Sequence, residues 1–281
     1  MTRTFIKALQ KNKLALSGTF ILALLIIAAI FSPALAPHDP YAMNLERILS
    51  PPCREFLLGT DNLGRDLLSR LMYGTRVTLG TATCIVLITG AFGTLLGTLA
   101  GYIGGLFDLL VMRVVDILMG LPVMLIALGL FAVLGPSLKS VIVILASLTW
   151  TDFARLARGG TLSLKETDYI LAAKSYGASL FHIIFLHIIP NNMAPIIVMG
   201  TLRMAYTILT LSGLSYLGFG VQPPTPDWGN IVSVGQEYLL VSPWMAFFGG
   251  FFISVTILSL NFVGDALRDA LDPRQRGRFV T

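Results

Sequence analysis

Few side chains in this sequence are suited to chemistry, and their spacing argues against catalysis. His38, His182 and His187 lack carboxylate or cysteine partners at metal-ligand spacing. Cys53 and Cys84 belong to no CxxC or Cys/His cluster, and no disulfide is expected between them. Residues 135–140, GPSLKS, lack the second glycine of a phosphate-binding loop, and neither HExxH nor GxSxG occurs. Charges do gather in places. Asp61 and Asp66 flank Gly64-Arg65, and Asp152, Arg155 and Arg158 follow an apolar run. Asp108, Arg113 and Asp116 lie together, the last two at the i, i+3 spacing of a helical pair. Arg203 stands isolated between apolar runs. At a bilayer centre such a charge costs about 2.5–3.5 kcal/mol on insertion scales. It is therefore expected to face a polar pathway and attract solute carboxylates, or else to snorkel or pair within an assembly.

The elements that must position these groups are membrane spans. Hydrophobic residues make up 55% of the 281 and charged ones 12%. A soluble domain carries about 25% charge, so the composition places the chain in a bilayer. Mean hydropathy is +0.78. Apolar runs at about 14–36, 77–105, 111–134, 138–158, 193–217 and 243–265 approach or exceed the ~20 residues a spanning helix needs. The predicted fold is all-α, a polytopic membrane protein with six transmembrane helices over 14–267. The net charge of +5 reflects membrane orientation and not nucleic-acid binding, because no basic face separates from the apolar runs. The first run, with its basic flank and Ala34-Leu35-Ala36, imitates a signal peptide, but its length and the spans that follow mark it as an uncleaved span.

Two spans carry internal signals. Gly93, Gly97, Gly101 and Gly105 recur every four residues, a bare stripe for close helix packing or for a sliding surface. Pro122 interrupts the third span and is expected to kink it, as a static bend or a hinge. Residues 1–13 read as a helix lying in the membrane surface or as a basic flank. The loops at 37–76 and 218–242 fall on one side. Counting Lys and Arg puts twelve with the termini and 152–190, and six opposite. That asymmetry predicts both termini, the loop 159–190 and the tail 268–281 in the cytoplasm.

Within that loop, DYILAAKSYGASLFHIIFLHIIP at 168–190 is polar and helical in pattern. Tyr169, Ala173, Tyr176 and Leu180 share one face of a short helix that Gly177 is placed to end. A second helix at about 179–187 is expected to lead to Pro190-Asn191. A thin helix with Ala172-Ala173 on its surface needs a groove to bury it, either in a partner or in this chain's own loops.

The segment resembles the "EAA" coupling loop of ABC importer permeases, with Ala172, Ala173 and Gly177 in the expected places and Pro190 near the expected end. LLGTDNLGRDLLSRLMYGTR at 57–76, LSYLGFGVQPPTPDWG at 214–229 and NFVGDALRDALDP at 261–273 resemble the dipeptide/oligopeptide/nickel permease family, C-type subunit. The resemblance spans nearly the whole chain in order. It implies a non-catalytic subunit of a bacterial inner-membrane importer that forms half of the pathway for peptides, nickel or metal chelates. It implies a second permease in a heterodimer, two ATPase subunits that bind ATP and magnesium, and an external solute-binding protein. The ATPases would grip Asp168, Tyr169, Leu171, Ala172, Ala173, Tyr176 and Gly177. The external loops, with Asp61, Arg65, Asp66, Asp227 and Trp228, would face the binding protein. There are two departures. The acidic residue of the signature is Leu171 here, and the glutamate usual in the peptide branch corresponds to Leu211, which points toward the metal branch. A self-sufficient secondary transporter is the rival reading. It predicts internal repeats and several mid-membrane ionisable residues, of which the sequence offers Arg203.

Overall fold

A computed structural model describes residues 12–271. Most of the basic N-terminal segment and most of the tail lie outside those residues. The regular secondary structure of the described residues is helical apart from an isolated bridge between Thr60 and Asp66. Helix α1 spans Lys13–Leu35, α2 Leu67–Ile103, α3 Gly105–Met119, α4 Val123–Leu134, α5 Leu138–Thr149 and α6 Thr151–Leu164. Then follow α7 (Asp168–Ser175), α8 (Leu180–Ile183), a π-helical turn (Ile184–Ile188), α9 (Ile189–Tyr216), α10 (Trp228–Glu237) and α11 (Pro243–Leu271). Five stretches are long and apolar enough to cross a membrane: α1, α2, α5 with α6, α8 through α9, and α11. The pair α3–α4 makes a sixth only if its bend is counted within one span.

Three expectations change. The third span is not one kinked helix. α3 and α4 meet at 91°, and Pro122, which has no N–H to continue a helix, stands as the N-cap of α4. The loop after α1 ends at Asp66 and not at residue 76. Asp66 caps α2, accepting from the Ser69 amide at 2.9 Å, so residues 67–76 are the first turns of the span itself. Pro190 does not separate a loop helix from the fifth span. It sits in the first turn of α9, where a missing N–H is harmless, and the π turn joins α8 to α9.

Helix α2, with 37 residues about 55 Å long at 1.5 Å per residue, is the central strut, and α6 is its most extensively packed neighbour. The glycine stripe explains the contact. A Cβ on Gly93 would overlap the Trp150 carbonyl, and one on Gly97 the Ala154 carbonyl. Gly101 approaches Arg158 and Thr161, whereas nothing lies near Gly105. Three of the four glycines therefore let the two backbones touch, and the fourth belongs to the turn into α3. Helix α11 packs on α1, α9 and α10, and α1 lies at the periphery with most of its apolar surface exposed, as lipid contact demands.

The Leu67 end of α2 is capped by a polar layer built from residues 37–66 and α10. Asp61 accepts from the Arg65 Nε at 2.6 Å, pairs with the Arg70 Nε at 3.2 Å, and accepts from the Leu63 and Arg65 amides. Arg70 donates to the Pro40 carbonyl at 3.0 Å. Asp227 caps α10 through the Asn230 amide and accepts from Thr78 Oγ1 at 3.0 Å. Trp228 Nε1 donates to the Leu71 carbonyl at 3.1 Å. All five side chains proposed to face a binding protein, Asp61, Arg65, Asp66, Asp227 and Trp228, are buried. Their contacts are with this layer and the bundle. The turn sequences that surround them fold them inward.

Candidate functional site

The opposite end of α2 carries α7. Thr167 precedes it, and its carbonyl accepts from the Ile170 and Leu171 amides. The helix stops in a two-bond motif: the Ala178 amide donates to the Ala173 carbonyl and the Gly177 amide to the Lys174 carbonyl. This closure needs a left-handed residue, and Gly177 supplies it with φ of 78°. One side chain holds α7 from behind. Ile170 is 1% exposed and packs with Ile183, Ile184 and Ile188, with Leu99 and Tyr102 of α2 beside them.

The outer surface is left open. Asp168, Tyr169, Leu171, Ala172, Tyr176 and Gly177 are exposed and Ala173 is half-buried; Tyr176 is 92% exposed. The expected Tyr169/Ala173/Tyr176/Leu180 face is not kept as one helical face. The helix ends at Ser175, so Tyr176 and Leu180 leave its register. Phe181 and Phe185, exposed and stacked with centroids 6.4 Å apart, extend the apolar surface. Tyr169 stands edge-on to His187 at 6.3 Å. No group of metal-ligating side chains forms among the described residues.

A second constellation lies along α6. Asp152, Arg155 and Arg158, spaced at i, i+3 and i+6, each find a partner on another helix. Arg158 grips Asp108 of α3 with Nε at 2.5 Å and Nη2 at 2.6 Å. Arg155 reaches Asp116 at 2.7 Å, so the local Arg113–Asp116 pair is replaced by a clamp between α3 and α6. Asp152 pairs with Arg203, midway along α9. Arg203 is thus not isolated. It also lies over the Tyr206 ring, 5.3 Å from its centroid. Pair and ring border a cavity of about 520 Å³ whose wall includes Met119 and Pro122 from the α3–α4 elbow.

Two residues escaped the sequence reading. Ile170 gives no signal in a short-helix pattern, because its partners come from a turn thirteen or more residues later. Asp152 was legible only as a charge after an apolar run, and no local spacing links it to Arg203.

Comparison with known proteins agrees with this architecture. Residues 93–277 match the model for the binding-protein-dependent transport system inner membrane component. Residues 1–52 match the N-terminal transmembrane domain of oligopeptide transport permease C. A dipeptide transport system permease protein of Alkalihalophilus pseudofirmus is 41% identical over 276 residues, covering 98% of this chain and 90% of its own. One of Bacillus subtilis is 41% identical over 271 residues, covering 96% and 85%. A probable D,D-dipeptide transport system permease of Escherichia coli is 38% identical over 270 residues, covering 96% and 91%.

Proposed function

The chain belongs to the family of binding-protein-dependent transport system inner membrane components, and from that membership we propose that it is a permease subunit of an ATP-driven importer of short peptides. The observation that carries this reading is α7. It is pinned from behind by Ile170, ended by Gly177, and left with Tyr169, Leu171, Ala172 and Tyr176 facing outward. An exposed apolar helix with a rigid backing transmits force to or from whatever grips it. The grip belongs to two ATPase subunits, which bind ATP and magnesium, and this chain catalyses no reaction. The α7 end and both termini then face the cytoplasm of a bacterium, in accord with the twelve-to-six excess of Lys and Arg.

A second permease completes the pathway as a heterodimer. An apolar groove of about 770 Å³ between α2 and α9, floored partly by Gly90, Ala91 and Gly200, supports close approach of a partner helix. The binding protein meets the opposite end, where Leu45, Leu57 and Leu240 are exposed. The relatives' names favour peptides over nickel or metal chelates. Leu211, the residue that pointed to the metal branch, is buried in an apolar cluster with Ile85 and Phe131. Purification through a tag on this chain tests the reading. ATPases should co-purify and be lost on Gly177→Asp. Transport by the chain alone in liposomes would overturn it.

A further inference from the structure

Two ion pairs on α6 differ in a way that has a chemical consequence. Arg158 spends both sides of its fork on Asp108. Arg203 gives Asp152 one terminal nitrogen, and Asp152 is the sole carboxylate within ion-pair distance of it among the described residues. The Arg203 and Asp152 side chains are 24% and 16% exposed, and both line the cavity at the α3–α4 elbow. A guanidinium carries five donors in a planar fork, so most of this one is unspent beside an open volume. The Tyr206 ring lies against it, 5.3 Å from the guanidinium carbon to the ring centroid.

We propose that Arg203 and Asp152 form an exchange site for a zwitterionic solute. The solute's carboxylate replaces Asp152 on the guanidinium, and the freed Asp152 carboxylate meets the solute's ammonium group. This deepens the peptide-permease reading and rests on it. The physical basis is compensation. A lone guanidinium away from water is costly, and the resident carboxylate removes that cost while the site is empty. Exchange then replaces one charge-assisted bond by another, so entry and release stay nearly balanced, as transport requires. A solute lacking either charge leaves one partner uncompensated and is rejected. Dimensions permit it: about 520 Å³ falls within the ~300–1,000 Å³ of small-molecule sites.

The test uses the complete permease–ATPase assembly, purified without its binding protein, and labelled dialanine in equilibrium dialysis. Unlabelled dialanine, dialanine amide and N-acetyl-dialanine compete. The blocked forms should compete at least about tenfold more weakly, the worth of one charge-assisted hydrogen bond. The double variant Asp152→Asn/Arg203→Gln, which leaves no unpaired ion, should lose dialanine affinity by a similar factor and no longer distinguish acid from amide. Its co-purification with the ATPases reports assembly. Equal competition by all three ligands, no saturable dialanine binding, or a double variant that binds as wild type overturns the exchange site while the permease reading stands. The ligand comparison in the wild-type assembly decides the matter even if the variant fails to assemble. If no ATPases co-purify with the wild-type chain, both readings fall.

Discussion

At the Leu67 end of α2, charged side chains turn inward; at the Ile103 end, apolar ones turn outward. Both inversions depart from the usual surface, but only one leaves a requirement unmet. The Asp61–Arg65–Arg70 cluster satisfies itself with backbone amides, the Pro40 carbonyl and its own charges. It is complete within this chain. The surface of α7 and the Phe181–Phe185 stack is incomplete, because Tyr176, Phe181 and Leu171 gain nothing from solvent. Signature residues at the first end are therefore buried within the chain, and on the proposed reading those at the second end serve as interface.

That contrast can be broken or sharpened by mutation. The largest effect is expected from Asp61→Ala, which strands two buried guanidinium groups. Destabilisation of about 3–5 kcal/mol should appear as loss of folded protein in thermal unfolding of the purified assembly. Ile170→Ala should cost about 2 kcal/mol or more, and it should also loosen α7, so ATPase co-purification falls with stability. Gly177→Ala places a Cβ in a left-handed conformation at about 1–2 kcal/mol, with partial loss of bound ATPase. Tyr176→Ser should change stability by less than about 0.5 kcal/mol and still weaken ATPase retention. An unchanged ATPase yield there would remove the distinction between scaffold and interface.

The smallest effect is a pH dependence at the scaffold end. Burial pushes the Asp227 carboxyl above its ordinary value, and hydrogen bonds from the Asn230 amide and Thr78 offset this in part. Between the ordinary aspartate value of about 3.9 and the raised one, the folded chain holds a proton that the unfolded chain has released. Stability therefore falls as pH rises through that window and levels off above it. Asp227→Asn should flatten this slope in unfolding curves measured across pH.

The legible parts of the molecule were those written in local pattern. Gly93, Gly97 and Gly101 announced a backbone contact, though not that α6 would fill it. Gly177 announced a helix end because the left-handed closure has a residue preference of its own. Arg203 announced a cost in the membrane, but its partner Asp152 lies 51 positions away in sequence, beyond any periodicity. Pro122 announced an interruption, but not the 91° between α3 and α4.

Composition and hydropathy by themselves determined that this chain is a helical membrane protein, because the cost of unsatisfied backbone groups in hydrocarbon admits few other folds for such runs. Tertiary structure alone decided which way each signature residue faces. A charge at the end of a span is surface or core according to what folds over it, and here that cover includes contacts far apart in sequence, from Arg70 to Pro40 and from Thr78 to Asp227.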